Sequence, residues 1–280
     1  LVQFQSASDE VVEAILDRIN AQTELELAEG FVAALAQSDA PNLGSMLVAH
    51  IRSATPKVRS QAIELLLRRR ESIPVLLEAI DAGDVQLAEL ALNQRQNLTR
   101  HPDRQVRRRA ERILERGGAL PNADRQKVLE SFAPITSISG NAAKGKLAFT
   151  KVCAKCHKHS GEGVNIGPDL TGMAVHPKAE LLTHILDPNQ SVESNFRLYT
   201  AVTVDGKVIN GMLASESRTA LEFFDAEGKK TTVLREDIEE FVGTRKSLMP
   251  EGIEKELNRQ ELTDLLEFLT QRGSFQPLDL

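Results

Sequence analysis

The chain has 280 residues, 41% of them hydrophobic and 26% charged, with a formal net charge of −6. This balance suits a protein that buries cores; it argues against disorder throughout and gives no overall case for nucleic-acid binding or a polybasic membrane anchor. No run of eighteen apolar residues predicts a transmembrane segment, and two cysteines three positions apart exclude both a disulfide framework and a four-cysteine zinc site within one chain.

From the N-terminus to about Leu129 the apolar residues recur with helical period. The segment PKVRSQAIELLL places Val58, Ala62, Leu65 and Leu66 on one face, and DRQVRRRAERIL places Val106, Ala110, Ile113 and Leu114 in the same pattern forty-eight positions later. Helical hairpins such as PVLLEAIDAGDVQLAELAL lie between, so this part resembles HEAT repeats, whose stacked helix pairs recur every 40 to 50 residues or so. The arginine runs Arg68 to Arg70 and Arg107 to Arg109 read as solvated helix faces diluted by neighbouring glutamates. Gly117, Gly118, Pro121 and Pro134 punctuate the end of the array, and the stretch ISGNAAKG reads as a linker.

From Ala142 the texture changes. A short helix runs through AAKGKLAFTKVCAKCHKH, followed by the glycine-rich SGEGVNIGPDLTG loop and a helix around Lys178 to Leu186. Between Phe196 and Val242 the pattern alternates as in strands, through LYTAVTV, KVINGMLAS and ALEFFDAEGKKTTVL, with turns at Asp205-Gly206 and Glu227-Gly228. A final helix, RQELTDLLEFLTQR, sets Leu262, Leu265, Leu266 and Leu269 on its apolar side.

The chemistry is concentrated in CAKCH, residues Cys153 to His157, a c-type haem attachment signature. Two thiols on one turn are placed to add to the two haem vinyl groups, and the adjoining histidine comes to lie beneath the iron. A thioredoxin-like dithiol would need a βαβ context that the pattern lacks. A zinc site would need His159 or His176 as a fourth ligand.

Around this motif the sequence resembles the class I cytochrome c fold. Gly145 and Phe149 match the N-terminal helix that meets the C-terminal one, and GPDLTG resembles the family's GPxLxG segment. The resemblance implies one haem c attached through Cys153 and Cys156, ligated by His157, with the Pro168 carbonyl orienting the imidazole. It also implies an axial methionine just before the last helix, at Met249 in SLMPEG; Met173 in LTGMAV is the rival, and a histidine or an open position remains possible chemistry. The order CxxCH, GPDLTG, β insert, MP and final helix is similar, more particularly, to the haem-binding C-terminal domain of large exported proteins of planctomycetes and verrucomicrobia. Such domains are commonly joined to HEAT-like repeats and to a β-propeller resembling sugar dehydrogenases.

The expectation is therefore a multidomain, mainly α chain. Residues 1–134 form a HEAT-like α-solenoid fragment, 135–141 a linker, 142–273 a cytochrome c-like domain (haem core 142–195 and 244–273, small β insert 196–243) and 274–280 a tail. Its expected function is electron transfer between donor and acceptor proteins or domains, in the periplasm or otherwise exported, as a module of a dehydrogenase-like protein rather than a complete enzyme. The chain begins with Leu1, and so reads as a mature or excised fragment whose lack of a signal says nothing against export. Lys151, Lys155 and Lys158 either guide an acidic partner to the thioether edge or simply solubilise it. Two rivals remain: a five-coordinate haem that binds peroxide or another small ligand, and an interaction scaffold in which haem is a structural staple.

Overall fold

The computed structural model describes residues 6–115 and 122–271, so the glycine punctuation at 117 and 118, Pro121 and the expected tail lie outside the described residues. In chain order the main elements are α1 (Asp9–Leu16), α2 (Leu25–Leu35), α3 (Leu43–His50), α4 (Pro56–Arg68), α5 (Ile73–Ala82), α6 (Leu92–Thr99) and α7 (Arg104–Glu115). Then come α8 (Ala123–Phe132), α9 (Ala142–Ala148), the two-residue strands β1 (Lys158–His159) and β2 (Glu162–Gly163), and α10 (Lys178–Leu186). Strands β3 (Arg197–Thr203), β4 (Val208–Glu216), β5 (Ala220–Phe224), β6 (Lys230–Leu234) and β7 (Ile238–Ser247) follow, and α11 (Ile253–Glu256) and α12 (Arg259–Leu269) are the last elements among the described residues.

These elements form two compact units, one from residues 1–120 and 190–248, the other from 121–189 and 249–280. The first contains the helical array. Val58, Ala62, Leu65 and Leu66 of α4 are buried, as are Val106, Ala110 and Ile113 of α7, so both periodic faces turn into one core. Helices two apart pack together, α1 on α3, α3 on α5 and α5 on α7, with α2 on α4 beside them. The arginine runs are only partly solvated. Arg68 is exposed against Glu64, but Arg69 reaches the Ser38 carbonyl and Arg109 binds Asp81 at 2.7 Å.

The expected "mainly α" class with a small β insert is corrected by the sheet. Strands β3 to β7 form one antiparallel sheet in the order β6-β5-β4-β3-β7, so the protein is mixed helical and β. The sheet is substantial because its alternation closes a core of its own: Tyr199 and Ala201 of β3, Leu221 and Phe223 of β5, Val233, Ile238 and Phe241 gather with Ala21 from the helical array. Strand β7 continues to Ser247, past the expected end of the insert at 243. Residues 190–248 thus group with the array instead of with the segment around Cys153.

A buried ionic cluster ties sheet to array within this unit. The Glu89 side chain is fully buried and accepts hydrogen bonds from Arg59 of α4, at 2.9 Å from Nη2 and through Nε, and from Nη2 of Arg197 on β3. Burial pushes its carboxyl up, but the hydrogen bond and charge of Arg59 and the charge of Arg197 outweigh that and hold it below the usual glutamate value. Nearby, Gln86 binds both chain segments, accepting from the Val192 amide and donating to the Arg245 carbonyl at 3.2 Å.

The second unit is helical around a separate core of Phe149, Val152, Leu181, Leu182, Leu186, Ile253, Leu257, Leu262, Leu265, Leu266 and Leu269. The stretch read as a linker belongs to it. Ile135 is buried in this core, Glu267 accepts from the Gly140 amide at 3.1 Å, and Asp264 accepts from the Asn141 amide at 2.7 Å. Asn258 caps α12 reciprocally with Glu261: its side chain accepts from the Glu261 amide at 3.0 Å, and the Glu261 carboxylate accepts from the Asn258 amide at 2.8 Å. Helices α9 and α12 cross where Gly145 has no side chain: a Cβ there would lie 1.9 Å from the Asp264 carbonyl oxygen, so only glycine permits this approach.

Candidate functional site

Helix α9 widens into a π turn, Phe149–Cys153, in which the Ala154 amide reaches back to the Phe149 carbonyl at 2.9 Å. Such a turn ends the helix and delivers Cys153 at its close. The next turn is held by the Cys153 carbonyl, which accepts from the amides of Cys156 at 3.0 Å and His157 at 2.9 Å. Cys153, Cys156 and His157 therefore sit on one short turn, all three half-buried.

The following loop folds back over this turn through its backbone. The β1–β2 hairpin reverses at Ser160 and Gly161, both at positive φ. Val164 then donates to the Ala154 carbonyl at 3.1 Å, while Ile166 and Gly167 donate to the Cys156 carbonyl at 3.0 and 2.8 Å. This brings Pro168 onto the imidazole: Nδ1 of His157 donates to the Pro168 carbonyl at 2.8 Å. Gly167 lies flat against the same ring, since a Cβ there would be 2.5 Å from Cε1, 2.9 Å from Nδ1 and 3.0 Å from Nε2. With one nitrogen fixed as a donor, Nε2 is left as the lone-pair nitrogen. Burial also holds His157 below the usual histidine value, against the pull of the Pro168 contact, which favours the neutral, ligating form.

The two thiols carry the opposite signature from a redox dithiol. Burial pushes Cys153 up to about 12, and burial also raises Cys156 against the nearby Lys155 charge. Dithiol oxidoreductases work through a lowered thiol pKa, which this turn does not supply. Nor is there a four-ligand zinc arrangement: among the described residues no group of three or more His, Cys, Asp or Glu side chains is placed to hold a metal ion. His159 instead packs its ring against Phe268 at 4.4 Å and Phe149 at 5.8 Å, joining the hairpin to the α9–α12 crossing. His176 and His184 both lie beside Glu180 on the outside of α10.

Cys153, Ala154, Leu170, Met173 and Met249 are all half-buried and pack against the second core. Both methionines weighed from the sequence therefore reach the same cluster as the attachment turn. Met46 packs on the array's core, and Met212 lies on β4. Of the three lysines, Lys151 is engaged with the Glu256 carbonyl at 3.0 Å and Glu261 at 3.3 Å, while Lys155 is exposed and Lys158 half-buried.

A haem c fits these residues on structural grounds. Two thiols share one turn, an imidazole is oriented by a backbone acceptor at Nδ1, a glycine keeps the ring's flank clear, and the turn packs on the same apolar core as Leu170, Met173 and Met249. What sequence reasoning missed is Arg125. It is buried on α8, donating to Glu254 at 2.9 and 3.1 Å and to the Leu186 carbonyl. Its partners lie 61 and 129 positions away, and nothing local in DRQKVL marks it.

Residues 142–196 match the family Cytochrome c. No curated protein gives a significant match to the chain. The match supports a cytochrome c-like, haem-binding domain with covalent haem c and haem-based electron transfer in general, and the CxxCH motif at Cys153 and Cys156 lies inside it. Among the described residues no helix is long and apolar enough to cross a membrane.

Proposed function

We propose that the chain passes electrons through one haem c attached by Cys153 and Cys156, with His157 and Met249 as its iron ligands. The observation that carries this reading is the 2.8 Å contact from His157 Nδ1 to the Pro168 carbonyl, which fixes the imidazole with Nε2 available on the turn that bears both thiols. Haem, when bound, supplies a one-electron ferric and ferrous couple. The protein's part is to orient and to exclude water. Gly167 lets the loop press on the imidazole, and Leu170 and the α9–α12 core keep the site apolar.

Met249 is favoured over Met173 by its backbone. Pro250 disfavours helical geometry at Met249 and keeps it in the bend between β7 and α11, from which a thioether can turn inward. Thioether ligation favours ferrous iron and raises the potential. The wider setting in this reading is a periplasmic or otherwise exported dehydrogenase-like protein. Its HEAT-like array accounts for the packing of helices two apart, and its redox partners are other proteins or a sugar-dehydrogenase-like β-propeller.

Intact mass after acid and organic extraction should retain one haem; complete release would end the attachment reading. Met249→Ala should remove the sulfur-to-iron absorption of the ferric protein and lower its potential, while Met173→Ala leaves both. The reverse pattern would reassign the ligand, and a native five-coordinate spectrum would favour a small-ligand or peroxide-reactive haem.

A further inference from the structure

The segment that follows Met249 is gripped by charged groups drawn from parts of the second unit that precede and follow the CxxCH turn. Arg125 of α8 lies before residues 142–196, the stretch that matches Cytochrome c, and is only 8% exposed. Its guanidinium makes a two-pronged contact with Glu254, Nη1 to Oε1 at 2.9 Å and Nη2 to Oε2 at 3.1 Å, and also donates to the carbonyl of Leu186 at the end of α10. Glu254 stands five residues after Met249, at the start of α11. Between them, Glu251 accepts from Nδ2 of Asn189 at 2.6 Å, and Gly252 takes a positive φ of 97° to turn the chain into α11. A bidentate guanidinium–carboxylate pair fixes direction as well as distance.

The surroundings give this pair a second task. Asp187 is buried next to it, and burial together with the charge of Glu251 raises its carboxyl above the usual aspartate value while Arg125 opposes them. Three acids thus converge where the Met249 segment meets the end of α10, and Arg125 is the buried cation that offsets them. Without it the segment carrying Glu251 and Glu254 would face Asp187 with like charge.

We infer that Arg125 is a positioning residue: by clamping Glu254 to the end of α10 it holds the 249–254 segment so that Met249 is presented to the haem site. The inference rests on Met249 being the iron ligand. It gives α8, a helix outside the matched stretch, a role in setting the electron-transfer properties of the site.

The test compares Arg125→Met, Glu254→Gln, Arg125→Lys, Arg259→Met and Met249→Ala in the intact haem-loaded chain. Glu254→Gln keeps the shape of the clamp while weakening it, and so serves if Arg125→Met does not fold. Arg259→Met removes a different tie to α8, the 2.7 Å bond to the Ser131 carbonyl, and leaves the clamp alone. Covalent haem is counted by mass, amide hydrogen exchange is followed over residues 249–257, and the sulfur-to-iron absorption is recorded in the ferric state. Arg125→Met and Glu254→Gln should retain the haem yet exchange at least tenfold faster over 249–257 and lose sulfur-to-iron absorption. Arg125→Lys should recover part of both, and Arg259→Met should match the parent. Unchanged exchange and absorption in both clamp variants would overturn the inference while leaving the ligand reading intact. Parent absorption in Met249→Ala would overturn the ligand reading, and the inference with it.

Discussion

In the unit made of residues 1–120 and 190–248, one buried cluster sets a carboxylate between two guanidinium groups, every partner drawn from a different element. In the unit made of residues 121–189 and 249–280, the chemistry-bearing side chains Cys153, Cys156 and His157 stand together on one turn, half-buried, and are oriented mostly by main-chain contacts. The contrast separates two uses of buried polarity. Glu89 accepts from both guanidinium groups and joins α4 to β3, which makes it architecture. His157 is held at Nδ1 by the main-chain carbonyl of Pro168, the orientation that the proposed ligand role requires.

The sharpest way to break this comparison is to remove the thiols. The double variant Cys153→Ser, Cys156→Ser should lose all covalent haem by intact mass, while the unfolding transition of the array and sheet, followed by far-ultraviolet circular dichroism, stays in place. Glu89→Gln should do the converse. It leaves Arg59 and Arg197 buried with no full counter-charge, at a cost of ~3–5 kcal/mol to its own unit, with the haem spectrum unchanged. The effect has a pH signature. Because Glu89's carboxyl is held below its usual value in the fold, its stabilisation is present above the ordinary glutamate range and disappears as pH falls through the folded value. Denaturant titrations from pH 7 downward should show a steeper acid loss in the parent than in Glu89→Gln.

Gly145→Ala is the next test in size. Its Cβ would meet the Asp264 carbonyl at 1.9 Å, so α9 and α12 must part, costing ~1–3 kcal/mol in the second unit. Thermal unfolding monitored in the haem absorption band should report it. The smallest expected effect calibrates the others: Arg68 and Glu64 form an exposed pair, so Arg68→Ala should shift stability by less than ~0.5 kcal/mol in the same assays.

The two units also differ in how legible they were. CAKCH is five consecutive residues, and GPDLTG follows within reach of a short loop, so the local chemistry demanded by a haem attachment turn could be read directly from their order. The helical faces of α4 and α7 were legible for the same reason, since a period of 3.6 is a local property. The strands from β3 to β6 could be found by alternation, but their weight in the fold could not. What makes the sheet a full partner of the array is the meeting of residues 59, 89 and 197, and no window of sequence contains all three. Arg125 was invisible on the same ground, its carboxylate partner lying 129 positions away. Both misplacements, a sheet taken for a small insert and a packed stretch around Ile135 taken for a linker, are failures to see long-range contacts.

The junction between α9 and α12 spans 123 positions at the Asn141–Asp264 bond, with the whole sheet between them in the chain. The attachment turn, by contrast, is complete within the sixteen positions from Cys153 to Pro168. Chains emerge from the N-terminal end, and long loops close later than short ones, so this geometry sets a schedule. The CxxCH turn is expected to form before α12 pairs with α9. Cofactor attachment and final closure are therefore separable in time. A defect confined to α12 should therefore slow closure of the second unit more than it lowers haem attachment.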